Sequence, residues 1–168
     1  MGQAVYLETD HDERCPLTFR SGGEEFGAFL ADLAPEYKTK RELMLFIEAA
    51  RPLRVDFGPL ALWANEDDPD PEAFEDEALA RVARRLGLTP QAYFEREQQR
   101  NDRAWQSPQA LLNAARSLLR VIREAETETK AAFLERFSYK DLSDDLDDLC
   151  QMAEWASQKG TQVRIVLS

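Results

Sequence analysis

The spacing of apolar positions divides this chain into two short strand-like ends and a mostly helical middle. Ala4-Val5-Tyr6-Leu7 and Val163-Arg164-Ile165-Val166-Leu167 are rich in β-branched or aromatic residues and bounded by polar or glycine positions, which predicts strands. From Glu24 to Leu33, the residues Phe26, Phe29, Leu30 and Leu33 recur at helical spacing, and Pro35 ends the pattern. Thr39 with Glu42 three positions later is a capping box, in which each side chain reaches the other's free amide. The helix it opens carries Leu43, Phe46, Ile47 and Ala50 on its apolar face and stops at Pro52. Leu53, Val55 and Phe57 then alternate with Arg54 and Asp56, predicting a third strand near 53–57 before Gly58-Pro59.

Three further helices announce their own starts. Asp70-Pro71, Thr89-Pro90 and Ser107-Pro108 each set a capping side chain before a proline at the first helical position. The first of these turns Phe74, Ala78, Val82 and Leu86 inward and ends at Gly87. The second is anchored by Tyr93 and Phe94, and its continuation from Glu95 to Arg103 is almost wholly polar. The third spreads Leu111, Leu112, Ala115, Leu118, Leu119 and Ile122 over nearly half its circumference, so it belongs deep in the core. A short segment, Lys130 to Phe137, follows. Ser138 and Asp141 then cap a last helix with the stripe Leu142, Leu146, Leu149, Ala153 and Ala156, stopped by Gly160. With no repeat and no long linker, the reading is one compact α+β domain over 1–168. It is mainly helical, with a small sheet formed by the N- and C-terminal strands.

Composition narrows the class. At 43% apolar and 32% charged residues the chain is too hydrophobic to be disordered, and no apolar run approaches the ~18 residues of a membrane span. The start of the chain has neither a signal-peptide pattern nor a myristoylation site, and the two cysteines lie far apart. The expectation is a reduced, cytoplasmic protein without a membrane partner.

Charge is sorted into blocks. Residues 66–80 carry 8 acids and no base, while residues 81–123 carry 9 arginines against Glu95, Glu97 and Asp102. Residues 124–154 return to 10 acids against 3 bases, and the whole chain stands at −11. Such a balance repels phosphate backbones, so nucleic acid is not the expected partner. The arginines form ridges, Arg81, Arg84 and Arg85 and again Arg116, Arg120 and Arg123 opposite apolar faces, and Arg96, Arg100 and Arg103 on the polar helix between, which suits internal pairing with the acids of 66–77 and 141–148.

Catalytic chemistry finds little to work with. The single histidine, His11, excludes a multi-histidine metal site and leaves Cys15 as its one conceivable nucleophilic partner, in an acidic loop that does not favour a thiolate. The acids of that loop, Asp10, Asp12 and Glu13, alternate in direction along an extended chain and do not converge on one ion. An EF-hand beginning at Asp68 fails at its sixth and twelfth positions, which hold Ala73 and Leu79. No metal or cofactor is therefore expected. The Glu66, Asp67, Asp68, Asp70 and Glu72 run reads as an acidic patch feeding a helix start.

The last helix offers the best candidate for a partner contact. Asp141, Asp145, Asp148, Met152 and Trp155 share one face beside its core stripe, combining an aromatic anchor with acids that would steer a basic partner. The functional expectation is a small acidic protein-binding or regulatory protein, of the inhibitor or immunity type, that masks a basic partner. The alternatives are a scaffold subunit of a homo-oligomer and a carboxylate-dependent enzyme.

Overall fold

The computed structural model describes residues 4–11, 13–67, 69–70, 72, 77–124, 133 and 142–168. Among them the two ends of the chain meet, as their patterns predict. Strand β1 (Val5–Thr9) pairs antiparallel with β3 (Val163–Leu167), and β2 (Trp63–Asn65) pairs parallel with the other side of β3, giving the order β1-β3-β2. The helices are α1 (Glu24–Asp32), α2 (Lys40–Ala50), α3 (Gly58–Ala61), α4 (Glu77–Arg85), α5 (Pro90–Arg103), α6 (Pro108–Arg123) and α7 (Leu142–Lys159). The architecture is α+β and mainly helical.

Helix boundaries follow local chemistry closely. Thr39 and Glu42 close both hydrogen bonds of the capping box, at 3.3 and 2.8 Å. Thr89 and Ser107 accept from the amides of Ala92 and Gln109, each ahead of a proline at the first helical position. Gly87 and Gly160, at φ 72° and 67°, adopt the left-handed conformation that ends α4 and α7. Asp70 accepts from the Glu72 amide at 2.9 Å, while Phe74, the Ser138–Asp141 cap and all of the 130–137 segment but Phe133 lie outside the described residues.

The third strand is not where alternation placed it. Arg51–Leu53 is a 3-10 turn, Arg54 takes a left-handed φ of 54°, and the chain enters α3 at Gly58. Pro52 and Pro59 bracket this stretch and, with φ fixed by their rings, start the 3-10 turn before it and α3 after it. The position beside β3 goes instead to Trp63–Asn65, in the unbroken apolar run 60–64. Trp63 and Ala64 are both buried, as expected of a parallel strand covered on two faces.

One core unites the described elements. Helices α6 and α7 pack antiparallel, seating Leu111, Ala115 and Leu118 among the buried Leu146, Leu149 and Ala153. Phe26, Phe29 and Leu30 of α1 fill in beneath, and the Trp63 indole donates to the Leu30 carbonyl at 2.9 Å. Phe133 is buried against Phe46 and Phe57. Two faces differ from their sequence pattern. In α4, Ala83 is buried while Ala78 and Val82 are exposed, so the inward stripe is rotated by one position. The polar stretch of α5 buries Arg100 and Asn101.

Candidate functional site

Strand β1 has one unpaired edge. The amide of Ser168 donates to Ala4 and that of Asp10 donates to Gln162, so the even-numbered residues of β1 face β3. The main-chain amides and carbonyls of Val5, Leu7 and Thr9 therefore point the other way. No strand among the described residues pairs with them. Along this edge runs a groove of about 480 Å³, walled on one side by Val5 to Thr9 and on the other by Cys15, Leu17 and Thr18. Consecutive strand residues line it although their side chains alternate between faces, which places the groove beside the strand rather than above it. Leu17 is exposed on the outer wall.

The polar rim of the groove carries both signs of charge. Glu8 and Glu66 line it with Tyr6, whose hydroxyl donates to Glu66 at 3.4 Å. Burial first, and then the charges of Glu66 and Glu8, push the Tyr6 phenol above its ordinary value, while Arg164, paired with Glu8 at 2.6 Å, opposes the shift. His11 and Arg14 also line the groove.

The acids of α7 have a different task from the one their face suggested. Asp145, 1% exposed, accepts from the Ser21 hydroxyl, and the buried Asp148 accepts from Arg20 twice, from its amide at 3.0 Å and from Nε at 2.9 Å. Arg20 also approaches Asp147 at 3.6 Å. These contacts clasp the loop between β1 and α1 onto α7. Asp145, Asp148 and Met152 are thus buried and form no exposed partner patch. The reason is that the loop lies over this face and satisfies the carboxylates from within. Met152 lines the floor of the β1 groove. Trp155 is half-buried, with the Lys159 ammonium 5.8 Å from its ring. Asp141 lies outside the described residues.

Of the second acidic run, Glu66, Asp67, Asp70 and Glu72 are exposed and Asp68 is not described. Only Glu66 reaches the groove. The structure thus joins Glu66 and Met152, from separate sequence candidates, with residues that no motif marked: Leu17, Thr18 and the open edge itself. The clasp residues Arg20 and Ser21 were equally silent, because an isolated arginine and serine in a loop carry no periodic signal.

Among the described residues five of the nine ridge arginines form ion pairs, though not always with the neighbouring blocks. Arg123 meets Asp147 at 3.8 Å and Arg81 meets Glu77 at 3.9 Å. Arg85 instead meets Glu42 at 2.7 Å, Arg116 meets Glu154, and Arg100 faces Glu36 at 3.5 Å. A groove of about 570 Å³ between α6 and α7 holds Arg116, Arg120 and Arg123, but Glu124, Asp147 and Glu154 balance their charge. The buried Cys150 thiol beside it is pushed up to about 11 by desolvation, which keeps it protonated.

The nucleophile reading gains nothing from the geometry. Burial raises the half-buried Cys15 thiol, and His11 lies nearest Asp10, at 3.6 Å. Among the described residues no three His, Cys, Asp or Glu side chains converge as metal ligands, and no helix is long and apolar enough to cross a membrane. Comparison with known proteins returns no matching family model, no similar curated protein and no similar solved structure.

Proposed function

We propose that this chain is a protein-binding regulatory protein of the masking type, which takes an extended, basic segment of its partner along β1. The observation that carries the reading is the groove beside an open strand edge. It offers main-chain donors and acceptors at Val5, Leu7 and Thr9 opposite the apolar wall of Leu17. Addition of a strand to such an edge draws affinity from main-chain hydrogen bonds and selectivity from alternate side-chain pockets. The Glu66 carboxylate on the rim, with the net charge of −11, favours a cationic segment and speeds its encounter.

The test is capture of the partner from native lysate with the wild-type protein, followed by amide exchange of the purified complex. Protection is expected at the amides of Val5, Leu7 and Thr9, and Leu17→Asp should weaken capture by about tenfold, or 1.4 kcal/mol. A complex that leaves these three amides exchanging at their free rate would overturn the reading. A concentration-dependent mass that protects the same amides would assign the edge to a second copy of the chain and so to a scaffold.

A further inference from the structure

Helix α2 is apolar on more sides than its packing uses. Ala50 is buried and Leu43 and Phe46 are half-buried, which accounts for the inward face. Outside that face, Met44 is 61% exposed, Ile47 44% and Leu45 40%, although Ile47 reads from its spacing as a core residue. Met44 and Ile47 are three positions apart and stand side by side on the outer surface. A helix with apolar residues around most of its circumference belongs between two layers, and the described residues supply only one.

The charges around these side chains give the missing layer its sign. Residues 38–54 carry Lys38, Lys40, Arg41, Arg51 and Arg54 against Glu42 and Glu48, a local excess of cations in a chain at −11. Glu42 is already engaged, with the Thr39 amide and with Arg85 at 2.7 Å. Lys40, Arg41, Arg51 and Arg54 are all exposed, and none has an ion-pair partner among the described residues. By comparison, five of the nine ridge arginines are paired. Arg54 is also the only non-glycine residue with a positive φ among the described residues, held there as its amide donates to Arg51.

We propose that the outward face of α2 is a docking surface for an acidic amphipathic helix of a partner protein. Leucine-like side chains of that helix would cover Met44 and Ile47, and its carboxylates would meet Lys40, Arg41, Arg51 and Arg54. An isologous contact with a second copy would set these same cations against each other. An anionic membrane is the weaker occupant, since its plane would also face the acidic remainder of the chain, whereas a helix meets α2 alone, and only three apolar side chains are offered for insertion.

The proposal is independent of the β1 groove, and its experiment keeps the two apart. The probes are an amphipathic helical peptide of leucine and glutamate, its leucine and lysine counterpart, and vesicles of phosphatidylglycerol with phosphatidylcholine. Binding is followed by fluorescence anisotropy for the peptides and by co-sedimentation for the vesicles. The acidic peptide should bind, weaken with salt, and lose about tenfold in affinity with Met44→Ser/Ile47→Ser and again with Arg41→Glu/Arg51→Glu. Leu17→Asp should leave that affinity unchanged. All five positions are exposed, so the variants retain the fold. Absence of acidic-peptide binding, equal binding of the lysine peptide, or affinity untouched by both double variants overturns the proposal. So does vesicle binding without peptide binding, or self-association abolished by Met44→Ser/Ile47→Ser.

Discussion

Replacing Arg100 with methionine asks which of its contacts holds α5 to the sheet. The side chain is 2% exposed, its guanidinium lies 3.9 Å from the Trp63 ring and 5.5 Å from that of Tyr37, and both terminal nitrogens donate to the Ala61 carbonyl at 2.8 Å. Glu36 Oε2 stands 3.5 Å away and is buried without a hydrogen-bond partner, but the side chain as a whole is 39% exposed, so the carboxylate can turn to water when the cation is gone. Losing both bonds to Ala61 costs about 1–3 kcal/mol, and losing a desolvated cation–π contact costs about 2 kcal/mol. Methionine restores about 1 kcal/mol through sulfur–aromatic contact. It also removes a guanidinium whose Nε is buried without an acceptor. The balance is a loss of about 3 kcal/mol, at the low end for breaking a buried pair. With a urea dependence of about 2 kcal/mol per molar, the unfolding midpoint should fall by about 1.5 M. Far-ultraviolet circular dichroism and tryptophan fluorescence would follow the transition. Adding Glu36→Gln should recover less than about 1 kcal/mol, because a partly exposed carboxylate contributes little. A loss below about 1 kcal/mol, or full recovery in the double variant, would show the stack and the carbonyl bonds to be secondary and refute the reasoning.

Two other consequences are accessible to the same methods. Asp148→Ala removes both acceptors of Arg20 and should cost about 2 kcal/mol. It should also speed exchange at the Arg20 amide while the amides in the middle of α7 stay protected, and unchanged exchange at Arg20 would exclude the clasp. In acid, Glu42 is held below its ordinary value, first by the Thr39 amide and then by Arg85, so its contribution is present above the unfolded pKa and lost as pH falls through the folded one. Burial raises Glu97, which reverses the sign: stability falls as pH rises from the unfolded value through the folded one. Glu42→Gln, which keeps the capping box, should flatten the acid limb of urea midpoint against pH. Glu97→Gln should give a stability gain that grows from acid toward neutral pH. The opposite slope in either variant would contradict the assignment.

What the sequence determined by itself is mostly what depends on neighbours in the chain. Thr39 with Glu42, Thr89-Pro90, Ser107-Pro108 and Gly160 mark real helix ends, because a cap is satisfied within a few residues of itself. The strands at the two ends were legible for the same reason, and so was the core stripe of α6. The tertiary structure decided everything that depends on which surface comes to lie opposite. Leu53, Val55 and Phe57 alternate like a strand, yet β3 accepts Trp63–Asn65 beside it, since the 3-10 turn and the left-handed Arg54 break the extended run. The aspartates of α7 look like a solvent face until Arg20 and Ser21, more than 120 residues away in the chain, cover them. Arg100 sits in a polar stretch of α5 and is buried because Trp63 and Ala61 receive it. Periodicity tells which side chains share a face. What that face meets is set by long-range packing, and here it turned the expected acidic patch into a clasp and left the edge of β1 and the outer side of α2 open.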